Sequence, residues 1–219
     1  MIIFLKNKKY LFILSFLLLR LSADNLIIAS GDTVEMSGTH IYDIVSITNS
    51  SILSVESETG TLKIICDSLH LGGTSKIIAD GISTDISNGG QDYQALAGGG
   101  SGAGFGGFGG NGGGAETALG GQPFGNCFSF LKGSKGGSGH SVYNGDYPGG
   151  NGGGAIRIES RVSNILGKIS ANGDDGIQYD SFGSWPSGPD WGGSGGGSGG
   201  LIYIESSVIN FGDGSMISA

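Results

Sequence analysis

Basic residues and histidines are scarce in this sequence. Eleven lysines and arginines stand against 19 aspartates and glutamates, a net charge of −8, and the three histidines, His40, His70 and His140, are widely separated. Binding to a nucleic-acid backbone depends on basic surface, and metal sites depend on clustered ligands. The sequence therefore predicts no nucleic-acid partner, no metal site and no cofactor.

Long apolar runs are also scarce, since only the N-terminus has one. Three lysines precede an apolar run at residues 10–19, and Arg20 and the small residue Ala23 follow it. This order is typical of a secretory signal peptide, whereas a membrane-spanning helix needs about 20 apolar residues. We predict a signal peptide at 1–23, cleaved near 22–25, and a secreted, extracellular product that meets the membrane only during export. An uncleaved signal anchor is the alternative.

Cysteine is limited to Cys66 and Cys127. Two cysteines can pair in an oxidising compartment, although the sequence does not dictate it. A disulfide between them would close a loop of about 60 residues and stabilise the fold by about 4 kcal/mol in the chain-entropy model. Asn49 begins the one Asn-x-Ser/Thr sequence. We predict that it is a glycosylation site in an exposed turn.

No segment has the apolar period of an amphipathic helix. Apolar residues alternate or cluster in short runs bounded by Gly, Asn and Asp, which is typical of strands and turns. Residues 24–97 are rich in Ile, Val, Leu and Thr, whereas 37 of the 47 glycines fall within residues 98–200. We therefore predict one all-β domain at 24–219, with strands at 24–97 and glycine-rich segments alternating with strands at 98–219.

One sequence template occurs three times, with copies that start at Gly60, Gly154 and Gly200. Each copy begins with a strand-like run, which reads Ile-x-Ile-Glu-Ser in the last two copies. A second apolar run follows, and it ends in Ile-Ser-Ala in the same two copies. Such self-similarity indicates a repeat architecture.

Side chains alternate along a strand, so Ile156 and Ile158 share one face and Arg157 and Glu159 the other. One copy with strands of about five residues cannot bury its apolar face alone, so copies must stack at a spacing of about 4.8 Å. Glu159 and Glu205 would then form a ladder on the outer face. The predicted fold is a parallel β-helix or solenoid with long glycine-rich loops inserted between its rungs.

Glycine-rich runs separate the copies of the template. Flexible linkers are one interpretation of these runs. Eleven aromatic residues stand among the glycines of residues 98–200, however, and linkers are poor in aromatics. We expect partly ordered loops, with extended left-handed runs packed side by side.

The template, together with the glycine-rich runs before it, resembles the repeats of glycine-rich, adhesin-like secreted β-helix proteins, which have a pectin-lyase-like solenoid. The opening run 29–38, followed by 44–47, is similar to the first rungs of those proteins. The resemblance covers nearly the whole chain after the signal peptide. It implies a structural or adhesive protein of an extracellular surface or matrix, with matrix or cell-surface partners, carbohydrate among them.

Solenoids of this kind also include polysaccharide lyases and hydrolases. Asp174 and Asp175 are the candidate carboxylate pair for such an activity, with His140 and the stretch 157–159 as candidate partners. The pectin-degrading hydrolases have further aspartates ahead of the pair and a Gly-His-Gly after it, whereas His140 precedes the pair. We therefore interpret both aspartates as turn formers and predict no catalytic residues. An enzyme of this kind is the lesser alternative.

Three aromatic residues, Tyr179, Trp185 and Trp191, are candidate glycan-binding residues, because exposed rings can stack on sugars. The alternative is that the tryptophans anchor their glycine-rich loop. A glycan-binding module is accordingly the second functional hypothesis, after a non-catalytic structural or adhesive protein. The third template copy stops at Ala219, where a solenoid would have an open edge. We expect either that the sequence is a fragment of a longer product or that this C-terminal edge pairs with a partner, as in self-association.

Overall fold

Alternation of apolar and polar residues builds the strands. In the run Thr61–Leu71, Leu62, Ile64 and Cys66 are buried, and the residues between them are not. The computed structural model describes residues 24–93, 99–112, 118–126, 129–141, 145–177 and 193–219. The strands of these ranges are β1 Leu26–Ile28, β2 Thr33–Met36, β3 Gly38–Ile47, β4 Ile52–Val55, β5 Thr61–Leu71, β6 Lys76–Ile78, β7 Gly139–Ser141, β8 Gly145–Tyr147, β9 Ala155–Ile165, β10 Lys168–Ser170, β11 Leu201–Phe211 and β12 Met216–Ser218.

Two parallel five-stranded sheets dominate the architecture. The first sheet has the order β1-β3-β5-β9-β11, and the second has the order β2-β4-β6-β10-β12. The chain passes alternately from one sheet to the other, apart from the small antiparallel hairpin of β7 and β8. No helix in the described ranges is long and apolar enough to cross a membrane.

The hydrophobic core consists of inward-facing residues from strands of both sheets. Burying one Ile or Leu side chain contributes about 1.5–3 kcal/mol, so the apolar rows are the main source of stability. The largest fully buried side chains of the core are Val45, Ile47, Leu53, Leu62, Ile64, Leu69, Leu71, Ile77, Ile156, Ile158, Ile165 and Ile169.

The three template copies lie side by side. In the first sheet, Ala155 of β9 pairs with Thr61 of β5 on one side and with Leu201 of β11 on the other. In the second sheet, β10 lies between β6 and β12. The predicted repeat is therefore confirmed as strand pairing, with equivalent residues in register.

The predicted fold class, a parallel β-helix or solenoid with glycine-rich loops between its rungs, is wrong. The structure has two large five-stranded parallel sheets instead. The first apolar run of each template copy, expected as a strand of about five residues, extends into the eleven-residue strands β5, β9 and β11 of the first sheet. The second run forms the short strands β6, β10 and β12 of the second sheet. The described glycine-rich segments are not simple loops either, because they hydrogen-bond to one another. Each sheet contains strands from both 24–97 and 98–219. The predicted division of the chain at 1–23, 24–97 and 98–219 stays a prediction.

Three glycine-rich segments, 133–137, 149–153 and 194–198, form what we call the glycine bundle. Each segment donates backbone hydrogen bonds to the next in a closed cycle. The donors are spaced three residues apart, which is the period of the extended left-handed helix. The bonds are Gly133 N to Gly153 O (2.8 Å), Gly136 N to Gly150 O (2.8 Å), Gly150 N to Gly195 O (2.9 Å), Gly153 N to Ser198 O (2.9 Å), Gly195 N to Gly137 O (2.9 Å) and Ser198 N to Ser134 O (3.0 Å).

The glycine bundle has no room for larger residues at its contacts. A Cβ atom at Gly136 would lie 2.1 Å from the carbonyl oxygen of Gly195, and one at Gly152 would lie 2.5 Å from the carbonyl carbon of Gly133. These neighbours are backbone atoms and cannot rotate away. Glycine is therefore required here by close packing, and the predicted side-by-side packing of extended runs is found in these ranges.

We predict that Gly136→Ala destabilises the protein by about 1–3 kcal/mol, the usual cost of overpacking. The matched control is Gly110→Ala in the same glycine-rich region, where an added Cβ would meet nothing within 4 Å. Urea unfolding followed by circular dichroism measures both. Equal stability of the two variants would contradict the close packing of the bundle.

Candidate functional site

In-register pairing creates rows of outward-facing side chains on the first sheet. Lys63 of β5, Arg157 of β9 and Tyr203 of β11 occupy one row across three neighbouring strands. Glu159 and Glu205 occupy the adjacent row. We call these five residues the ion-pair patch. The predicted alignment of the two glutamates is confirmed.

Direct contacts hold the ion-pair patch together. Lys63 Nζ lies 2.9 Å from Glu159 Oε1, and Arg157 Nε lies 2.7 Å from the same oxygen. The guanidinium carbon of Arg157 lies 4.6 Å from the centre of the Tyr203 ring, a cation–π distance. The Tyr203 hydroxyl donates to Glu205 Oε2 at 3.1 Å. Each strand thus contributes to one continuous network.

The electrostatics of the patch follow from these contacts. The hydrogen bond from Lys63 is the largest influence on Glu159 and lowers the pKa of that carboxyl. Burial opposes it as the next largest influence, and Arg157 adds a smaller lowering of the pKa. Glu205 accepts a hydrogen bond from the hydroxyl of Tyr203, and this bond raises the pKa of that hydroxyl. The side chains of Lys63, Arg157 and Glu159 remain 25–29% exposed. The patch can therefore offer both charged donors and acceptors to a ligand.

A second polar surface lies in an open groove of about 370 Å³ beside the glycine bundle. Its polar lining residues are Lys135, Asn151, Asp174 and Asp175. The Asn151 amide donates to the carbonyl of Gly81 at 3.2 Å, and the Asp174 carboxylate lies over the same glycine. Gly81 has a φ of +62°, so these two side chains cover a tight turn. The groove brings the two predicted aspartates onto one surface.

His140 is not among the described residues that line this groove. It lies on the β7–β8 hairpin, where its Nδ1 is 2.7 Å from Asp146 Oδ1 and its ring stacks on Tyr93 at 4.6 Å. Hydrogen bonds with His140 first, and then with Tyr93, lower the pKa of the Asp146 carboxyl. The structure therefore pairs His140 with Asp146, and the predicted partnership with Asp174 and Asp175 is not formed.

Asn49 lies in an exposed turn, with a φ of +56°. The hydroxyl of Ser51, the third residue of its glycosylation sequence, is buried and accepts a hydrogen bond from Gly31 N at 3.2 Å. The predicted turn is confirmed, and the glycosylation of Asn49 stays a prediction.

The side chain of Cys66 belongs to the buried core and is 6% exposed. Burial, with a smaller contribution from Asp67, raises the pKa of its thiol to about 11. Cys127 lies outside the described residues, so the disulfide between the two stays a prediction. Ser160 and Ser206 occupy the equivalent positions of the next two strands.

The candidate glycan-binding residues Tyr179, Trp185 and Trp191 also lie outside the described residues. For metals, the described ranges contain no group of three or more His, Cys, Asp or Glu side chains that could hold an ion. Sequence reasoning missed Lys63 as a functional candidate. Its signal was present, because Lys63 occupies the same template position as Arg157 and Tyr203.

Comparisons with protein-family models, with curated proteins and with solved structures give no match for this chain.

We predict that the free energy of unfolding depends on the ionisation of Cys66. Because its pKa in the folded state, about 11, is above that of an unfolded thiol, its stabilising contribution is full below about pH 9 and is lost as the pH rises towards 11. The loss amounts to about 2–3 kcal/mol. Unfolding of the wild type and of Cys66→Ser, compared at pH 8 and at about pH 11, measures it.

Serine is the matched replacement because it occurs at this position in the next two strands. The same fall in stability in both proteins would contradict the prediction. So would mass spectrometry without reduction that finds Cys66 linked to Cys127.

Proposed function

We propose that this protein is secreted and serves as a structural or adhesive component of an extracellular surface or matrix, without catalysing a reaction. The observation that carries the proposal is the ion-pair patch. It is a regular set of partly exposed charges and one aromatic ring, held on three adjacent strands of one sheet. Such a surface can bind a ligand through ion pairs, hydrogen bonds and ring contacts.

Rigidity of the patch supports this role. Glu159 receives bonds from both Lys63 and Arg157, and the guanidinium also lies over Tyr203. Side chains that are already ordered lose little conformational entropy when a ligand binds. The patch is thus arranged for recognition of matrix or cell-surface components, carbohydrate among them, through charge and hydrogen bonding.

Binding to an extracellular ligand should depend on the cations of the patch. We expect Lys63→Ser/Arg157→Ser to weaken binding by about tenfold or more, since the change removes the main donors of the patch and leaves Glu159 without its two cationic partners. The measurement is binding of the purified protein to arrays of immobilised neutral and acidic polysaccharides and to intact cell-surface material.

The matched control is Arg161→Ser, which removes an exposed arginine from the same strand but lies outside the patch. It should bind as the wild type does. Equal binding by the wild type, the control and the double variant would contradict the proposed role of the patch.

A glycan-binding module is the second candidate function, and the groove beside the glycine bundle favours it. Lys135, Asn151, Asp174 and Asp175 supply donors and acceptors around an open volume of about 370 Å³. Binding pockets commonly orient their ligands with a few such polar groups. On the same arrays, Asp174→Asn/Asp175→Asn would lose glycan binding under this alternative and would keep it if the ion-pair patch is the binding surface.

We expect no turnover of polysaccharide. The measurement is release of reducing ends or unsaturated products from acidic polysaccharides incubated with the wild type and with Asp174→Ala/Asp175→Ala. Products formed by the wild type and lost in the variant would overturn the non-catalytic proposal and assign the groove to an enzyme.

A further inference from the structure

Both large sheets end at the same side of the molecule. β11 is the last strand of the first sheet, and β12 is the last strand of the second. Nothing in the described ranges pairs with the outer edge of either strand. The unpaired backbone groups of an edge strand are a template for pairing with another chain.

Core positions are open to solvent at this end. Phe211 and Ile217 are 57% and 43% exposed. Their register partners one strand inward, Ile165 and Ile169, are 0% exposed. The same comparison holds for Ile209, which is 37% exposed beside the fully buried Ser163. In the interior these positions are covered by the next strand of each sheet.

The edge has few of the features that block strand pairing. Across β11 and β12, from Leu201 to Ser218, no lysine, arginine or proline occurs, and the charged residues are Glu205 and Asp213. Natural edge strands are usually protected by lysines, inward-pointing charges or prolines. The open edge of β11 and β12 is therefore suited to accept further strands.

A groove of about 390 Å³ lies at the same end of the molecule. Its lining includes Phe105, Phe108, Gly200 and Ala219, which places it next to the beginning of β11 and the end of β12. Phe108 is 73% exposed. The groove and the open edge form one continuous surface.

We propose that a second copy of this chain binds this surface, with β11 and β12 of each copy facing the same strands of the other. The edge offers eleven residues of β11, and an identical edge matches that length. The edge at the opposite end of the molecule does not match that length, because β1 has three residues and β2 has four. A symmetric dimer covers Phe211 and Ile217 in both copies and leaves neither copy with an open β11–β12 edge.

Sedimentation velocity of the purified protein over a range of concentrations tests the dimer. The wild type should sediment with twice the mass of one chain. Phe211→Lys should raise the dissociation constant at least tenfold, because it places a charge at an apolar position that the second copy would cover. Backbone amides of β11 should exchange slowly in the dimer and faster in this variant.

The matched control is Ile27→Lys, which changes an apolar residue that is 67% exposed on β1 at the opposite end. It should remain a dimer. Circular dichroism and thermal unfolding establish that both variants are folded. A monomeric wild type at every concentration would overturn the proposal. Assemblies that grow beyond the dimer, or dissociation caused by Ile27→Lys, would overturn the symmetric arrangement.

Discussion

Close approach between glycine backbones sets the register on which the described structure depends. The chain leaves β10 at Ser170 and begins β11 at Leu201, whereas most connections in compact domains have about 4–6 residues. Here the connection is held before the strand begins, because Gly200 N donates to Ala171 O at 2.7 Å and Leu201 N donates to Gly154 O at 3.1 Å. A Cβ at Gly200 would lie 1.8 Å from Gly154 O. Only glycine permits these bonds.

The surface chemistry follows from that register. Once β9 and β11 are aligned, Glu159 and Glu205 must lie in one row, and like charges on neighbouring strands repel each other. Lys63 and Arg157 neutralise Glu159, while Tyr203 donates to Glu205. The repeat therefore places two glutamates side by side. Lys63, Arg157 and Tyr203, which share one other template position, relieve the repulsion between them. The proposed binding surface is the result of this compensation.

The amount that sequence could predict differs between the sheets and the glycine-rich segments. Apolar alternation and the template identified the repeated strands, their register and the glutamate row, because each of these leaves a pattern in side chains. The predicted fold class was wrong, and so was the expected strand length of about five residues, because β5, β9 and β11 each continue for eleven residues. Strand length depends on tertiary pairing, which local periodicity does not contain.

The residues of the candidate site also differ in how far the sequence could predict their contacts. Sequence placed Asp174 and Asp175 as a pair, and both do line one groove. It could not place His140 beside Asp146 and Tyr93, since that contact depends on where the β7–β8 hairpin lies. The partners within the glycine bundle had no side-chain signal at all, because its bonds join backbone to backbone.

Hydrogen exchange measured by NMR on the glycine amides tests the central claim most directly, namely that backbone packing of glycine orders this protein. The account predicts that the amides of Gly136, Gly150 and Gly195 exchange slowly, with protection comparable to that of the amides in β9. Exchange of these three amides at the rate of an unfolded chain, while β9 remains protected, would contradict it.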